Sequence, residues 1–237
     1  MPAEGCTIKF SSVKRSFIFK MKTIIFANGE FTTPLHPLNI QEDDLVIAAD
    51  GGSQHCLSLG ILPGVLIGDM DSTDPALLEK WRGEGVEIIQ YPEDKDQTDL
   101  ELALMLAQDR GTRKIVVHGA VGGRLDMTFG NLGLLAHPQL KTPTTLINGA
   151  EEVHLLHSGE MLTLVGEPGE LVSLLPTQPG KSVVSTRGLE YPLKNEPLEF
   201  GLSRGISNHL TGKRGTVHLE SGLLVVVHTR ATLQEEN

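Results

Sequence analysis

Val65-Leu66-Ile67-Gly68-Asp69-Met70-Asp71-Ser72 is an uninterrupted apolar run that ends in a glycine and two closely spaced carboxylates. Apolar residues at every position, rather than every second one, mark a strand covered on both faces, as in a parallel sheet. The same pattern recurs on either side. Leu45–Ala49 leads into Asp50-Gly51-Gly52, and residues 86–90 lead into Asp94-Lys95-Asp96-Gln97-Thr98-Asp99. Residues 114–118 lead into Gly119-Ala120-Val121-Gly122-Gly123-Arg124-Leu125-Asp126. Runs at 23–27 and 144–147 complete the set, and helical patterns fall between them near 53–59, 74–82, 98–109 and 125–136. This alternation predicts a doubly wound, mostly parallel α/β domain, with ligands beyond the carboxyl ends of its strands.

Two helix starts carry local signals. Asp74-Pro75 sets an N-cap carboxylate before a proline at the first helical position. Thr98-Asp99-Leu100-Glu101 has the capping-box spacing, in which Thr98 and Glu101 serve exposed backbone N–H groups. The second acidic loop therefore runs into a helix N-terminus. After Gly149 the helical periodicity fades. Short apolar runs at 153–157, 161–165, 171–175, 183–185, 216–219 and 223–227 are separated by Gly, Pro, Ser and Asn, which predicts an all-β region, an antiparallel sandwich-like layer pair or a barrel. The expected organisation is an extension over residues 1–20, an α/β nucleotide- and metal-binding domain over 21–149, and a β-rich domain over 150–237.

Composition narrows the function. The chain has 237 residues, with 39% hydrophobic and 21% charged, as an ordinary globular protein does. A net charge of −10 argues against a nucleic-acid partner. No apolar run has the length of a membrane span, and the basic first twenty residues lack the sustained apolar core of a secretory signal. Two cysteines, Cys6 and Cys56, give no disulfide framework, so the expected compartment is the cytoplasm. His55, His118, His154, His157 and His228 have no metal-ligand spacing, and no nucleophile–His–acid set stands out.

The chemistry concentrates in the loops. Carboxylates converging at one sheet edge repel one another unless a cation sits between them, and hard oxygen ligands suit Mg²⁺, with Mn²⁺ as the alternative. Asp69 and Asp71, two residues apart in an extended loop, can face one cation, and Asp50 can bind either metal or a ribose hydroxyl. Ser72 offers a hydroxyl to phosphate. Lys95 and Arg124 are cations for phosphate oxygens, and Gly51, Gly52, Gly122 and Gly123 let backbone N–H groups approach.

In their order along the chain, these motifs resemble the thiamin pyrophosphokinase family. The resemblance rests on Ala49-Asp50-Gly51-Gly52, Gly68-Asp69-Met70-Asp71-Ser72, Asp94-Lys95-Asp96-Gln97-Thr98-Asp99 and Gly122-Gly123-Arg124-Leu125-Asp126. It continues through Gly205-Ile206-Ser207-Asn208 and Gly215-Thr216-Val217. It implies an ATP-dependent transferase that passes pyrophosphate to thiamin and releases AMP, working as a homodimer with active sites between subunits. By the same resemblance, Asp50, Asp69, Asp71, Asp96 and Asp99 are the metal set. Asp71, Asp96, Asp99, Arg124 and Asp126 are the catalytic set, with Asp99 or Asp126 orienting the attacking hydroxyl. Thr98 and Lys95 join the nucleotide side, and Ser207 and Asn208 face the aminopyrimidine of thiamin. Family members often have His or Gln where this chain has Met127, which speaks against proton transfer at that position. Two other readings compete: a pyrophosphokinase for another heterocyclic alcohol such as a hydroxymethylpterin, and a noncatalytic nucleotide or thiamin sensor.

Overall fold

The computed structural model describes residues 22–35, 37–71 and 73–231, so the expected 1–20 extension and Ser72 lie outside the described residues. The first half contains β1 (Thr23–Phe26), β2 (Leu45–Ala49), α1 (Gly52–Ser58), β3 (Val65–Gly68), α2 (Pro75–Gly83) and β4 (Glu87–Gln90). It continues with α3 (Asp99–Asp109), β5 (Ile115–His118), α4 (Leu125–Leu134) and β6 (Thr144–Asn148). The six strands pair in parallel in the order β6-β5-β1-β2-β3-β4.

Double-sided burial explains the uninterrupted apolar runs. Ile24, Phe26, Val46, Ala48 and Leu66 pack on Cys56 of α1 and Trp81 of α2. Their sequence neighbours Ile25, Ala27, Ile47, Ala49 and Ile67 pack on Leu100, Ala103, Leu104 and Ala107 of α3 on the other face. Both helix starts behave largely as their sequences dictate. Asp74 Oδ1 accepts from Ala76 N at 2.9 Å, with Pro75 opening α2. Thr98 Oγ1 accepts from Glu101 N at 3.2 Å. Only half of the expected capping box forms, because the Glu101 carboxylate lies 3.6 Å from His137 Nε2 instead.

Among the described residues, eight strands follow: β7 (Glu151–His157), β8 (Met161–Val165), β9 (Leu171–Pro176), β10 (Lys181–Arg187), β11 (Glu196–Glu199), β12 (Asn208–His209), β13 (Arg214–Ser221) and β14 (Leu223–Thr229). Four of them extend the first sheet. β7 turns back antiparallel on β6 with Asn148 opposite Glu151, and β14, β9 and β12 add successively, giving ten strands in all. The turn uses Gly149 at φ +58°, a conformation glycine adopts without steric cost. The other four form a second antiparallel sheet, β11-β10-β13-β8. Leu156, Val172, Leu174, Leu224 and Val226 of the long sheet pack on Leu164, Val184, Leu198, Val217 and Leu219 of the short one. That is the expected sandwich, with one layer continuous with the α/β sheet. Among the described residues no helix is long and apolar enough to cross a membrane.

Candidate active site

The strand order reverses between β1 and β5. From β1 the chain adds β2, β3 and β4 to one side, then returns to place β5 on the other. Loops at such a switch point part in opposite directions and leave a crevice at the carboxyl edge. Here a cavity of about 450 Å³ opens there, lined by Ala27, Asn28 and Gly29 after β1, Ala49 of β2, and Ala120, Gly122, Gly123 and Arg124 after β5. Thr98, Asp99 and Leu100 at the start of α3, with Met127 and Asn131 of α4, close its sides. The loops meet so tightly that side chains are excluded. A Cβ on Gly52 would lie 1.9 Å from Phe26 O, and one on Gly29 would lie 2.3 Å from Gly119 O.

Beside this crevice, Asp50, Asp69 and Asp71 each present a carboxylate oxygen, and the three oxygens lie within 4.8 Å of one another. The backbone is bent to achieve this: Asp50 has φ +45° and Met70 has φ +68°, both rare for residues with a Cβ. Asn28 Nδ2 donates to Asp50 Oδ2 at 3.1 Å, whereas Asp50 Oδ1 is buried with no partner among the described residues. Asp71 N donates to Asp69 Oδ1 at 3.1 Å, and Gln90 Nε2 donates to the Asp69 carbonyl at 3.1 Å. Lys95 Nζ bridges the two acidic loops, 2.9 Å from Asp99 Oδ1 and 3.5 Å from Asp69 Oδ2.

These contacts set the charges. Burial raises the Asp50 carboxyl above its ordinary value, and Asp99, Asp69 and Asp71 add to the rise against a backbone hydrogen bond from Gly51. Asp69 is lowered by the Asp71 N–H and by Lys95. Burial works to lower Lys95, but its bond to Asp99 and the charges of Asp99 and Asp69 outweigh that and raise it. A carboxylate whose folded-state value is raised costs stability above that value and nothing below the unfolded one. Asp50→Asn is therefore expected to raise the thermal midpoint of metal-free protein at neutral pH and to lose this advantage near pH 3. An unchanged neutral-pH midpoint would show that the Asp50 charge is compensated. Three converging carboxylates, one of which also carries a buried oxygen without a partner, are the donor set a hard divalent cation takes.

The remaining expected residues divide. Arg124 and Asp126 form an exposed pair at 2.6 Å at the mouth of the crevice. Asp96 is exposed and stands outside the three-carboxylate group, although Asp99, from the same loop, faces Asp50 closely enough to raise it. Ser207, at φ +62°, and Asn208 lie at β12, the far edge of the long sheet. Asn208 acts there as a strut: its Oδ1 accepts from Tyr191 N and His209 N, and its Nδ2 donates to Tyr191 O. Sequence reading missed Asn28, Gln90 and Asn131. Asn28-Gly29, separated from the end of β1 by Ala27 alone, was the available signal, because it repeats the polar-glycine step of Asp50-Gly51 one strand away.

A parallel sheet with acidic and glycine-rich loops around a crevice at its switch point belongs to the ligand-binding α/β class. Residues 37–147 match the family model of the thiamin pyrophosphokinase catalytic domain, and residues 161–224 that of the thiamin pyrophosphokinase vitamin B1 binding domain. The thiamine pyrophosphokinase of Bacillus subtilis is 30% identical over 213 residues, covering 88% of this chain and 99% of the relative. Thiamine pyrophosphokinase 1 of Arabidopsis thaliana is 29% identical over 180 residues, covering 72% and 67%. The crystal structure of the B. subtilis protein superposes with a TM-score of 0.78 at 27% identity, over 89% of this chain and 99% of that one. That of Geobacillus thermodenitrificans thiamin pyrophosphokinase gives 0.77 at 25% identity, over 90% and 99%. The chain belongs to the thiamin pyrophosphokinase family.

Proposed function

We propose that the chain transfers the terminal pyrophosphoryl group of ATP to the hydroxyethyl oxygen of thiamin, giving thiamin diphosphate and AMP. The observation that carries this reading, within the family, is the convergence of Asp50, Asp69 and Asp71 beside the switch-point crevice. These three carboxylates, with Asp99 beside them, would hold Mg²⁺, which when bound neutralises triphosphate charge and polarises the phosphoryl oxygens. Asp96, exposed on the same loop, is left for the outer side of the site. The thiamin oxygen attacks the β-phosphorus, the bond from that phosphorus to the α–β bridging oxygen breaks, AMP leaves with that oxygen, and the hydroxyl proton passes to solvent. Lys95 is already desolvated beside Asp99, and its ammonium stabilises charge on the transferring group at little cost in reorganisation. Asp99, held by Lys95, orients the attacking hydroxyl; Asp126 first has to leave Arg124. The N-terminus of α3 at Thr98 and the Gly122-Gly123 turn add backbone N–H groups for phosphate. Arg124→Ala is expected to raise the KM for ATP about tenfold with smaller change in kcat, as loss of one charge-assisted contact does. Unchanged ATP kinetics would remove Arg124 from the site.

Thiamin reaches this crevice through a homodimer. Ser207 on the edge beside β12 is six strand steps from β1, roughly 30 Å at about 4.8 Å per step. One thiamin molecule cannot touch both within one chain, so Ser207 serves the crevice of a second copy. Exposed apolar residues support that pairing: Leu125 and Phe129 of α4 are 71% and 70% exposed. Incubation with thiamin, ATP and Mg²⁺, followed by product identification, tests the proposal. AMP formed only with both substrates is expected; ADP or orthophosphate as the main product overturns it. Faster turnover of a hydroxymethylpterin would move the acceptor assignment, and saturable binding without turnover would indicate a sensor.

A further inference from the structure

Asn131 is the buried polar side chain in the crevice that the transfer chemistry leaves unused. It lies on α4, one turn beyond Met127, and the i, i+4 spacing puts both on the face that lines the cavity. The residue is 6% exposed, and its Nδ2 donates to the Ala120 carbonyl at 2.8 Å. That bond fixes which end of the amide points where. Oδ1 accepts no hydrogen bond from the described residues and keeps accessible surface, in a residue that lines the cavity. An amide oxygen held in place by its own nitrogen and open to a cavity is an acceptor available to a donor on the ligand. The surrounding wall limits what that ligand is. Ala27, Ala49, Leu100 and Ala120 are small or apolar, and Met127 adds a thioether side chain to the same lining. Such a slot suits a flat heteroaromatic ring, with the sulfur against its face.

We infer that Asn131 is a specificity residue that reads an exocyclic amine on a nitrogen heteroaromatic ring held in this slot. A carboxamide fixed by one hydrogen of its nitrogen matches such an edge: Oδ1 accepts from the amine, and the second Nδ2 hydrogen is available to the adjacent ring nitrogen. A ring with an oxo group in place of the amine sets two acceptors face to face. Met127 then has a steric and dispersive role, which accounts for an apolar residue at a position where the family often has His or Gln. This inference rests on the proposed function for the identity of the ring. The purine of ATP and the aminopyrimidine of thiamin have the same chemistry, and the test separates them.

Equilibrium binding is measured by calorimetry with ATP against ITP and with thiamin against oxythiamin, for wild type and Asn131→Ala, with AMP formation followed in parallel. Wild type is expected to prefer the amine of one pair by about tenfold or more, the value of one satisfied buried hydrogen bond, and Asn131→Ala to erase that preference. Collapse of the ATP/ITP ratio assigns the slot to the nucleotide base; collapse of the thiamin/oxythiamin ratio assigns it to the acceptor. A purely structural asparagine weakens both members of a pair equally, so an unchanged ratio in the variant overturns the inference. Equal binding of amine and oxo forms by wild type overturns it without any variant. Amine-selective binding that depends on Asn131, without AMP formation, sinks the pyrophosphokinase reading alone. AMP formation with unchanged ratios sinks the role of Asn131 alone.

Discussion

Asp71→Asn is expected to lower turnover by on the order of 10²–10³-fold while leaving the fold intact. Asp71 is the exposed member of the three-carboxylate group, so its replacement leaves no buried hole. Its backbone N–H still holds Asp69 Oδ1, because that bond does not involve the side chain that changes. What is lost is one of three oxygens converging on a common point. The deficit should shrink as Mg²⁺ is raised if the variant binds metal more weakly, and persist at saturation if the charge itself supports the transition state. Turnover measured across a Mg²⁺ titration, beside thermal unfolding of both proteins, separates these outcomes. Wild-type turnover in a folded Asp71→Asn protein would take Asp71 out of the essential set.

Phe129→Glu is expected to yield monomers and to abolish turnover while the chain still binds ATP. Phe129 is 70% exposed on a helix with scarcely any polar face, and a carboxylate there makes burial against a second copy unfavourable. Sedimentation reports the assembly state, and AMP formation the activity. A mixing experiment sharpens this prediction. If each site combines acidic loops from one copy with Ser207 from the other, Asp71→Asn and Ser207→Ala chains reassociated together recover about a quarter of wild-type activity. Half the dimers are mixed, and each mixed dimer has one intact site of two. No recovery after verified exchange would show that the site is built within one chain, against the six strand steps, roughly 30 Å, that separate Ser207 from β1.

The α/β half was legible because its signals are local. Double-sided burial writes itself as Leu45–Ala49, and the caps at Asp74 and Thr98 need only residues within one turn. The acidic group was legible as residue types but not as a constellation. Asp50 and Asp69 stand on adjacent strands, and nothing in the sequence says that Asp99 but not Asp96 turns inward. Asn28 and Asn131 were missed because each takes its meaning from a partner distant in sequence, Asp50 and Ala120. In the second half the inner faces of β9 and β14 were readable. The four-residue β11 and two-residue β12 were too short for any periodicity to show. The junction near Gly149 was visible as a change of texture; that the sheet continues through it depends on pairing between β6 and β7, set by the turn.

Because the two-residue turn at Gly149-Ala150 joins strands of a single sheet, it cannot serve as a pivot. Ten hydrogen-bonded strands make a stiff beam, with the acidic loops towards one end and Ser207 at the other. Dyes placed at those two ends of one chain should keep their spacing when ATP and thiamin bind. Dyes on different copies report any closure that does occur. If two copies assemble as proposed, substrate capture is a matter of how two beams are clamped together, and the stiffness of each fixes how finely the clamp can be aligned.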